Sequence, residues 1–390
     1  MACNNKTDWL NIIGTKPEDI QLVFPEYEHD ELLHKRIYGS MLGMAIGDAV
    51  GACVEFRPRS FMVMHPVEDL QGGGTWGLKA GQWTDDTSMT LCLAASLINK
   101  KGFQPYDQLV RYNWWYQQGY MSSTGECFDI GKATEDSLRE FSSRQQKFAR
   151  ENRLPSKHID FLPDNCVTKF EKDMTTECSA PGVAGNGALM RLAPVPLFFY
   201  RRPAYAVYYA GKSALLTHGD KKAADACRYY AALICGAMHG YEKNRLLDKK
   251  FYDNAYALGW FGNEQLHQEI IDIAAGSFRQ KRGYDDGIRA GGYIIRALEA
   301  ALWAFDRDNN SFKRGVLLAV NLGDDTDTVA AIYGQLAGAV YGHDNLPQEW
   351  VDQIYASNFI KCLSDWIQYE GNEWNKNYRK DPAPIAKSGC

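Results

Sequence analysis

Strand-like alternation is scarce along this chain. Apolar residues recur instead at spacings of three and four, the signature of helices with one buried face. The pattern predicts helices over Glu31–Val50, Thr87–Ile98, Ala223–His239, Tyr284–Phe305 and Thr326–Tyr341. In the last, Val329, Ile332, Tyr333, Leu336, Val340 and Tyr341 make the apolar stripe, and Ala330, Ala331, Gly334, Ala337 and Gly338 fill the rest. Residues that small let neighbouring helices approach closely. The expectation is an all-α fold in a single compact domain.

Two regions depart from this pattern. Residues 1–30 are polar and mixed, an extension ahead of the first strongly apolar helix. Residues 142–180 are charged, with few periodic apolar positions, and read as a surface insertion in a domain spanning 31–380. A lid or binding role and a tolerated surface excursion fit that insertion equally well. The tail ending KDPAPIAKSGC is expected to be loose.

Composition narrows the setting. With 390 residues, 45% of them hydrophobic, the chain can bury a large core. A net charge of −5 and the lack of any long basic run argue against a nucleic-acid partner. Ten cysteines occur with no CxxC pair, which in a chain this long fits a reducing compartment. The N-terminus lacks the basic start and apolar stretch of a signal peptide, and no uninterrupted apolar run approaches the roughly 18 residues of a membrane span. The expectation is a cytoplasmic protein without a membrane partner.

Chemistry concentrates at two helix starts. Trp83-Thr84-Asp85-Asp86-Thr87 follows the glycine-rich stretch Gly72–Gly81, and Gly323-Asp324-Asp325-Thr326-Asp327-Thr328 precedes the last predicted helix. Each alone reads as a capped helix whose first-turn carboxylates favour the dipole. Yet capping needs one acidic or hydroxyl side chain, and three aspartates within four residues repel one another. Hard divalent cations such as Mg²⁺ or Mn²⁺ take oxygen ligands in octahedral sets. Two such clusters face to face could therefore serve a two-metal oxygen site. Three further segments carry weaker signals. Glu55 follows Gly47-Asp48-Ala49-Val50-Gly51, and is either a catalytic carboxylate or a surface residue. Asp129, in Gly125–Gly131, is either a helix cap or a catalytic group. Gly185-Asn186-Gly187 makes a backbone-permissive loop able to offer amides to phosphate.

Taken in order, GDAVGACVEF (47–56), QWTDDTSMTL (82–91), GECFDIG (125–131), GNGALMRLAPVPL (185–197), LTHGD (216–220), GGYIIRALEAALWAF (291–305) and LGDDTDTVAAIYGQLAGAVYG (322–342) resemble the ADP-ribosylglycohydrolase family. The arginine-directed bacterial branch, that of dinitrogenase reductase-activating glycohydrolase, is the more similar. The resemblance spans about residues 35–342 and leaves residues 1–30 and 142–180 unmatched. It implies a compact orthogonal helical bundle with two divalent cations, Mg²⁺ or Mn²⁺. By match, Thr84, Asp85, Asp86, Asp325, Asp327 and Thr328 are metal ligands, whereas Asp324 stands where relatives often carry glycine. Gly185, Asn186 and Gly187 match a phosphate-contacting loop, Tyr293 a substrate loop, and His218 a histidine near the target side chain. Asp129 matches a proposed base of the arginine-directed branch. Glu55 matches a glutamate of a branch that prefers serine-linked ADP-ribose. The implied activity is removal of ADP-ribose from arginine of a modified protein, with serine-linked, polymeric or O-acetyl ADP-ribose as alternative substrates. The unmatched segments raise a different reading, an immunity protein that occludes an ADP-ribosyltransferase toxin.

Overall fold

The computed structural model describes residues 6–378. Its longer helices are α1 (Glu31–Gly51), α2 (Asp85–Lys100), α3 (Pro105–Gln118), α4 (Lys132–Glu151), α5 (Asp164–Asp173), α6 (Pro203–Leu215), α7 (Lys221–Met238), α8 (Ile294–Arg307), α9 (Phe312–Val320), α10 (Thr326–Tyr341) and α11 (Ser357–Asn377). Short helical turns join them. Among the described residues there is no strand, and only isolated bridges form. Local chemistry sets many of the starts. Asp30 accepts from the Leu33 amide ahead of α1, Gln104 from Tyr106 ahead of α3, and Asp220 from Lys222 ahead of α7.

α1 and α10 are the central pair. Gly39, Gly43, Gly47 and Gly51 fall every fourth residue along α1, on one face. A Cβ at any of them would overlap backbone of the partner, at Gly338, Gly334, Ala330 and Asp327 respectively. Gly334 and Gly338 are equally tight against Gly43 and Gly39. Two hydroxyls lock the register: Ser40 donates to the Gln335 carbonyl at 2.7 Å and Thr326 to the Gly51 carbonyl at 2.8 Å. Around this pair, α11 and α2 pack beside α1, α8 and α9 beside α10, and α7 with α6 close another side. The stretch Glu31–Val54 is long and apolar enough to cross a membrane by length and composition, but 94% of its most apolar window is buried within the fold.

The helix expected over Tyr284–Phe305 begins only at Ile294. Ahead of it lie a 3-10 turn, Tyr284–Asp286, and a loop. Gly287 takes φ 104° there and Gly291 and Gly292 follow, residues that disfavour helix by about 1 kcal/mol each. Within 142–180, α4 runs on to Glu151, and α5 buries Val167 and Phe170 and packs the latter back onto it. Phe170 meets the rings of Tyr106, Phe141 and Phe148. Residues 6–30 lie as a strap over α2, α3 and α11. Trp9, Leu10 and Ile20 are buried, the Leu10 carbonyl accepts from Arg111 at 2.8 Å, and the Val23 carbonyl accepts from Trp366 at 2.6 Å. The tail beyond residue 378 lies outside the described residues, as do Cys3 and Cys390; the cysteines within them are free thiols.

The seam makes a direct prediction. Gly47→Val should lower the denaturant midpoint by the equivalent of about 3 kcal/mol, the upper part of the usual overpacking range. Gly291→Ala, where a Cβ meets nothing, should leave the midpoint unchanged. Equal midpoints for the two variants would show that the seam is not close-packed.

Candidate active site

The α1–α10 seam ends where the chemistry begins. Gly51 lies against the Asp327 backbone, so the start of α10 sits beside the end of α1. One turn before that end, Asp48 is fully buried and faces the start of α2. It accepts the Thr84 amide at 2.9 Å and the Thr84 hydroxyl at 3.0 Å. It also accepts the Thr87 amide at 3.0 Å and the Thr87 hydroxyl at 2.6 Å. Asp48 thus caps α2 from another helix.

Thr84 and Asp325 occupy the N-cap positions of α2 and α10, but neither side chain makes a cap hydrogen bond. The two clusters face each other instead. The Thr84 hydroxyl lies 3.3 Å from both Asp86 Oδ2 and Asp327 Oδ2, and Thr328 Oγ1 donates to Asp86 Oδ2 at 3.2 Å. Glu55 enters from the turn after α1, and Asp129 from the residues before α4, held at φ 60°. Oxygens of Glu55, Asp129 and Asp327 lie within 4.8 Å of one another. Asp324, at φ 61°, takes the left-handed conformation that favours glycine, and its backbone bonds to Arg57 and Phe56.

Packing so many carboxyls together has an electrostatic cost. Burial, then repulsion from neighbours, holds Asp85, Asp86 and Asp327 well above the usual carboxylate range. Burial likewise raises Asp325, pushes Asp48 up to about 6 and Glu55 to about 7, and lifts Asp129 to about 11 with the help of Asp85. Asp86 Oδ1 and Asp327 Oδ1 are buried with no hydrogen-bond partner. Buried acceptors opposed by other acceptors are rare unless something positive satisfies them. An all-oxygen set of carboxylates and hydroxyls suits divalent cations of the Mg²⁺ type.

This cluster floors a cleft of about 360 Å³. Glu55, Asp85, Asp129, Asn186, Asp325 and Thr328 line it, while Thr84, Asp86 and Asp327 lie beneath. On the far wall the Asn186 amide donates to the Gly292 carbonyl at 2.9 Å, and its side chain donates to Asp325 Oδ2 at 2.6 Å. Gly185 and Gly187 abut the ring of His218, where a Cβ would crowd it. That ring is buried, with Nδ1 2.8 Å from Thr217 Oγ1. Thr217 also accepts from Arg191 at 2.6 Å, so the imidazole is tied through one hydroxyl to a guanidinium. Burial, then Arg191, pushes His218 down to about 3, so it is neutral and turns Nε2 toward the Gly185–Gly187 wall. Tyr293 bridges Gly185 through its backbone, and its hydroxyl accepts from Lys222 at 3.0 Å; its neighbour Gly292 lines the cleft.

All the residues singled out by sequence thus gather at one place, with Tyr293 at its edge. Sequence inspection assigned no role to Asp48, Phe56, Trp76 or Thr134. Phe56 lines the cleft at φ 64° with 60% of its surface exposed, and Trp76 donates to Glu55. The available signal for Asp48 was a charge inside a long apolar stretch, residues 37–54, that holds no other.

A helical bundle carrying Thr/Asp clusters at two facing helix starts defines a class, and comparison with known proteins gives its name. Residues 29–377 match the ADP-ribosylglycohydrolase family, and the chain belongs to it. It is 37% identical to the ADP-ribosylarginine hydrolase Tri1 of Pseudomonas putida (strain GB-1), over 84% of this chain and 76% of that one. With the Tri1 of Serratia proteamaculans (strain 568) it shares 33% identity, over 95% and 86%. The ADP-ribosyl-[dinitrogen reductase] glycohydrolase of Rhodospirillum rubrum is 26% identical, over 83% and 91%. A solved structure titled ADP-ribosylglycohydrolase-related protein complex superimposes with a TM-score of 0.67 at 33% identity, covering 87% of this chain and 99% of that one.

The raised carboxyls imply a pH dependence. Asp48 and Glu55 bind protons more tightly folded, at about 6 and 7, than at their ordinary values of 3.8 and 4.5. Their contribution to stability is complete below those ordinary values and is lost as pH rises through about 6 to 7. In excess chelator, the protein should melt at a higher temperature at pH 5 than at pH 8, and Glu55→Gln should flatten the slope. A parent slope of opposite sign would contradict the burial cost described.

Proposed function

We propose that this protein hydrolyses the N-glycosidic bond between ADP-ribose and an arginine side chain of a modified protein, reversing mono-ADP-ribosylation, in the cytoplasm. The observation that carries the reading is the convergence of Thr84, Asp85, Asp86, Asp325, Asp327 and Thr328 with Glu55 and Asp129 on one cleft. The names of the two Tri1 relatives support arginine as the linkage.

The six Thr and Asp residues would hold two divalent cations, Mg²⁺ or Mn²⁺. Bound there, such ions supply a template for ribose hydroxyls and lower the pKa of water. The protein's own groups do the rest. Gly185, Asn186 and Gly187 form the wall that receives the diphosphate, with the neutral imidazole of His218 behind them. Tyr293 fixes that wall through its bridge to Gly185. Bond cleavage builds positive charge on the ribose, which Glu55 and Asp129 face and stabilise. One of the pair accepts the proton of the attacking water, and the other keeps the departing guanidinium protonated. The cluster excludes most solvent, so these charges act in a medium of low dielectric constant.

The test is release of free ADP-ribose from an ADP-ribosyl-arginine protein with Mg²⁺ or Mn²⁺. The parent should be active, and Asp85→Ala and Asp325→Ala should each lose about 100-fold or more, as expected when a metal template is dismantled. An active parent with unimpaired variants would remove the cluster from the mechanism. A parent inactive on arginine but active on serine-linked, polymeric or O-acetyl substrates would move the linkage and not the chemistry.

A second reading has its own support. The N-terminal strap reaches the loop that carries Asp129, where the Lys16 side chain lies against Gly125. An exposed segment there could contact an ADP-ribosyltransferase toxin while the cleft acts on its product. Pull-down of such a transferase should weaken at least tenfold with Ile12→Ser/Lys16→Glu. Undiminished capture would release the strap from that role.

A further inference from the structure

The glycine-rich stretch 72–81 has no part in the chemistry so far. It folds into a tight turn, in which Gly73 and Leu78 exchange backbone hydrogen bonds of 2.7 and 3.0 Å. Gly74, at φ 71°, is pressed against the Ala52 carbonyl, so the turn is seated on the end of α1. Gly72 has no room for a Cβ beside Leu78 and Ala80. What this turn holds out is Trp76, with 38% of its surface exposed. Its indole N–H donates to Glu55 Oε2 at 2.8 Å. Its ring lies against Phe128, with centroids 5.6 Å apart. Phe128 directly precedes Asp129, whose left-handed backbone persists only where surroundings hold it. One side chain therefore touches one carboxylate and braces the segment that bears the other.

We propose that Trp76 is a positioning residue that sets the placement of Glu55 relative to Asp129. Glu55 has three side-chain torsions, and the residue after it, Phe56, is open to solvent on the cleft side. The directed indole donor, acting beside the Asp129 carboxyl that also bonds Glu55, selects one rotamer before substrate arrives. The glycines are required because a Cβ at Gly72 or Gly74 would lift the indole away from that oxygen. This inference rests on the hydrolase reading above.

Trp76→Phe keeps a ring for Phe128 and removes the N–H, and Trp76→Ala removes both. On an ADP-ribosyl-arginine protein, kcat should fall about tenfold in the first and about 100-fold in the second, the scale of misplaced catalytic groups. KM should stay within about twofold, because ground-state contacts to substrate are untouched. In a Glu55→Ala background, Trp76→Phe should cost less than about twofold, since two residues acting through one contact are not additive. Equal losses in both backgrounds would overturn the proposal. The contact itself is read without turnover. The Trp76 indole ¹⁵N–¹H resonance, assigned by its absence in Trp76→Phe, should shift upfield in Glu55→Ala. An unmoved resonance overturns the proposal, whereas a moved resonance in a parent that releases no ADP-ribose overturns only the hydrolase reading.

Discussion

Backbone-to-backbone contact between α1 and α10 is the constraint from which the rest follows. Glycines at every fourth position of α1 let it lie directly on α10, and no larger residue fits there. The seam fixes axial register as well as distance, because Gly51 meets Asp327 and Thr326 bonds to the Gly51 carbonyl. Asp48 on the same helix then fixes the start of α2 through Thr84 and Thr87. Both acidic helix starts are thereby referred to one rigid rod, and a loop scaffold could not match that precision.

The same rigidity lets the molecule tolerate a concentration of charge that would otherwise spring apart. Asp85, Asp86, Asp325 and Asp327 share a small volume with Glu55 and Asp129, and burial first, with repulsion added at Asp85, Asp86 and Asp327, raises their proton affinities. Hydroxyls of Thr84 and Thr328 soften it only in part, since each can donate one proton. The remaining demand for positive charge gives the cleft its chemical identity. The neutral His218 belongs to the same design, because burial and the nearby Arg191 keep it from becoming a cation. It can therefore face a substrate without competing for the carboxylates.

Much of this was legible in the chain. Two Thr/Asp clusters held more carboxyls than capping can use, and the structure turns the Thr84 hydroxyl toward Asp48, Asp86 and Asp327. The helices showed where small and apolar residues kept strict periodicity, as in α1 and α10. Legibility failed where function rests on a partner distant in sequence. Nothing about Trp76 announces a hydrogen bond to Glu55, because the turn that delivers it is recognisable only once seated on α1. In α4, Phe141 and Phe148 bracket Gln145, a buried polar residue that donates to the Tyr106 hydroxyl and hides the apolar period. The loop before Ile294 was misjudged because Tyr284 and Ile288 kept helical spacing across glycines that break it.

The strap of residues 6–30 separates two boundaries that are usually assumed to coincide. The family match begins at residue 29, yet the wholly buried guanidinium of Arg111 has the Leu10 carbonyl and Asn11 among its partners. The family match and the folded unit therefore draw the N-terminal edge at different places, and the match to the Serratia Tri1, over 95% of this chain, runs into the strap. The strap supplies two of the partners of a buried charge on α3. A chain cut at the family boundary would leave the guanidinium only Asp107 and Tyr120, and would uncover the faces of α2, α3 and α11 that the strap buries, so the smallest stable unit is longer than the family match.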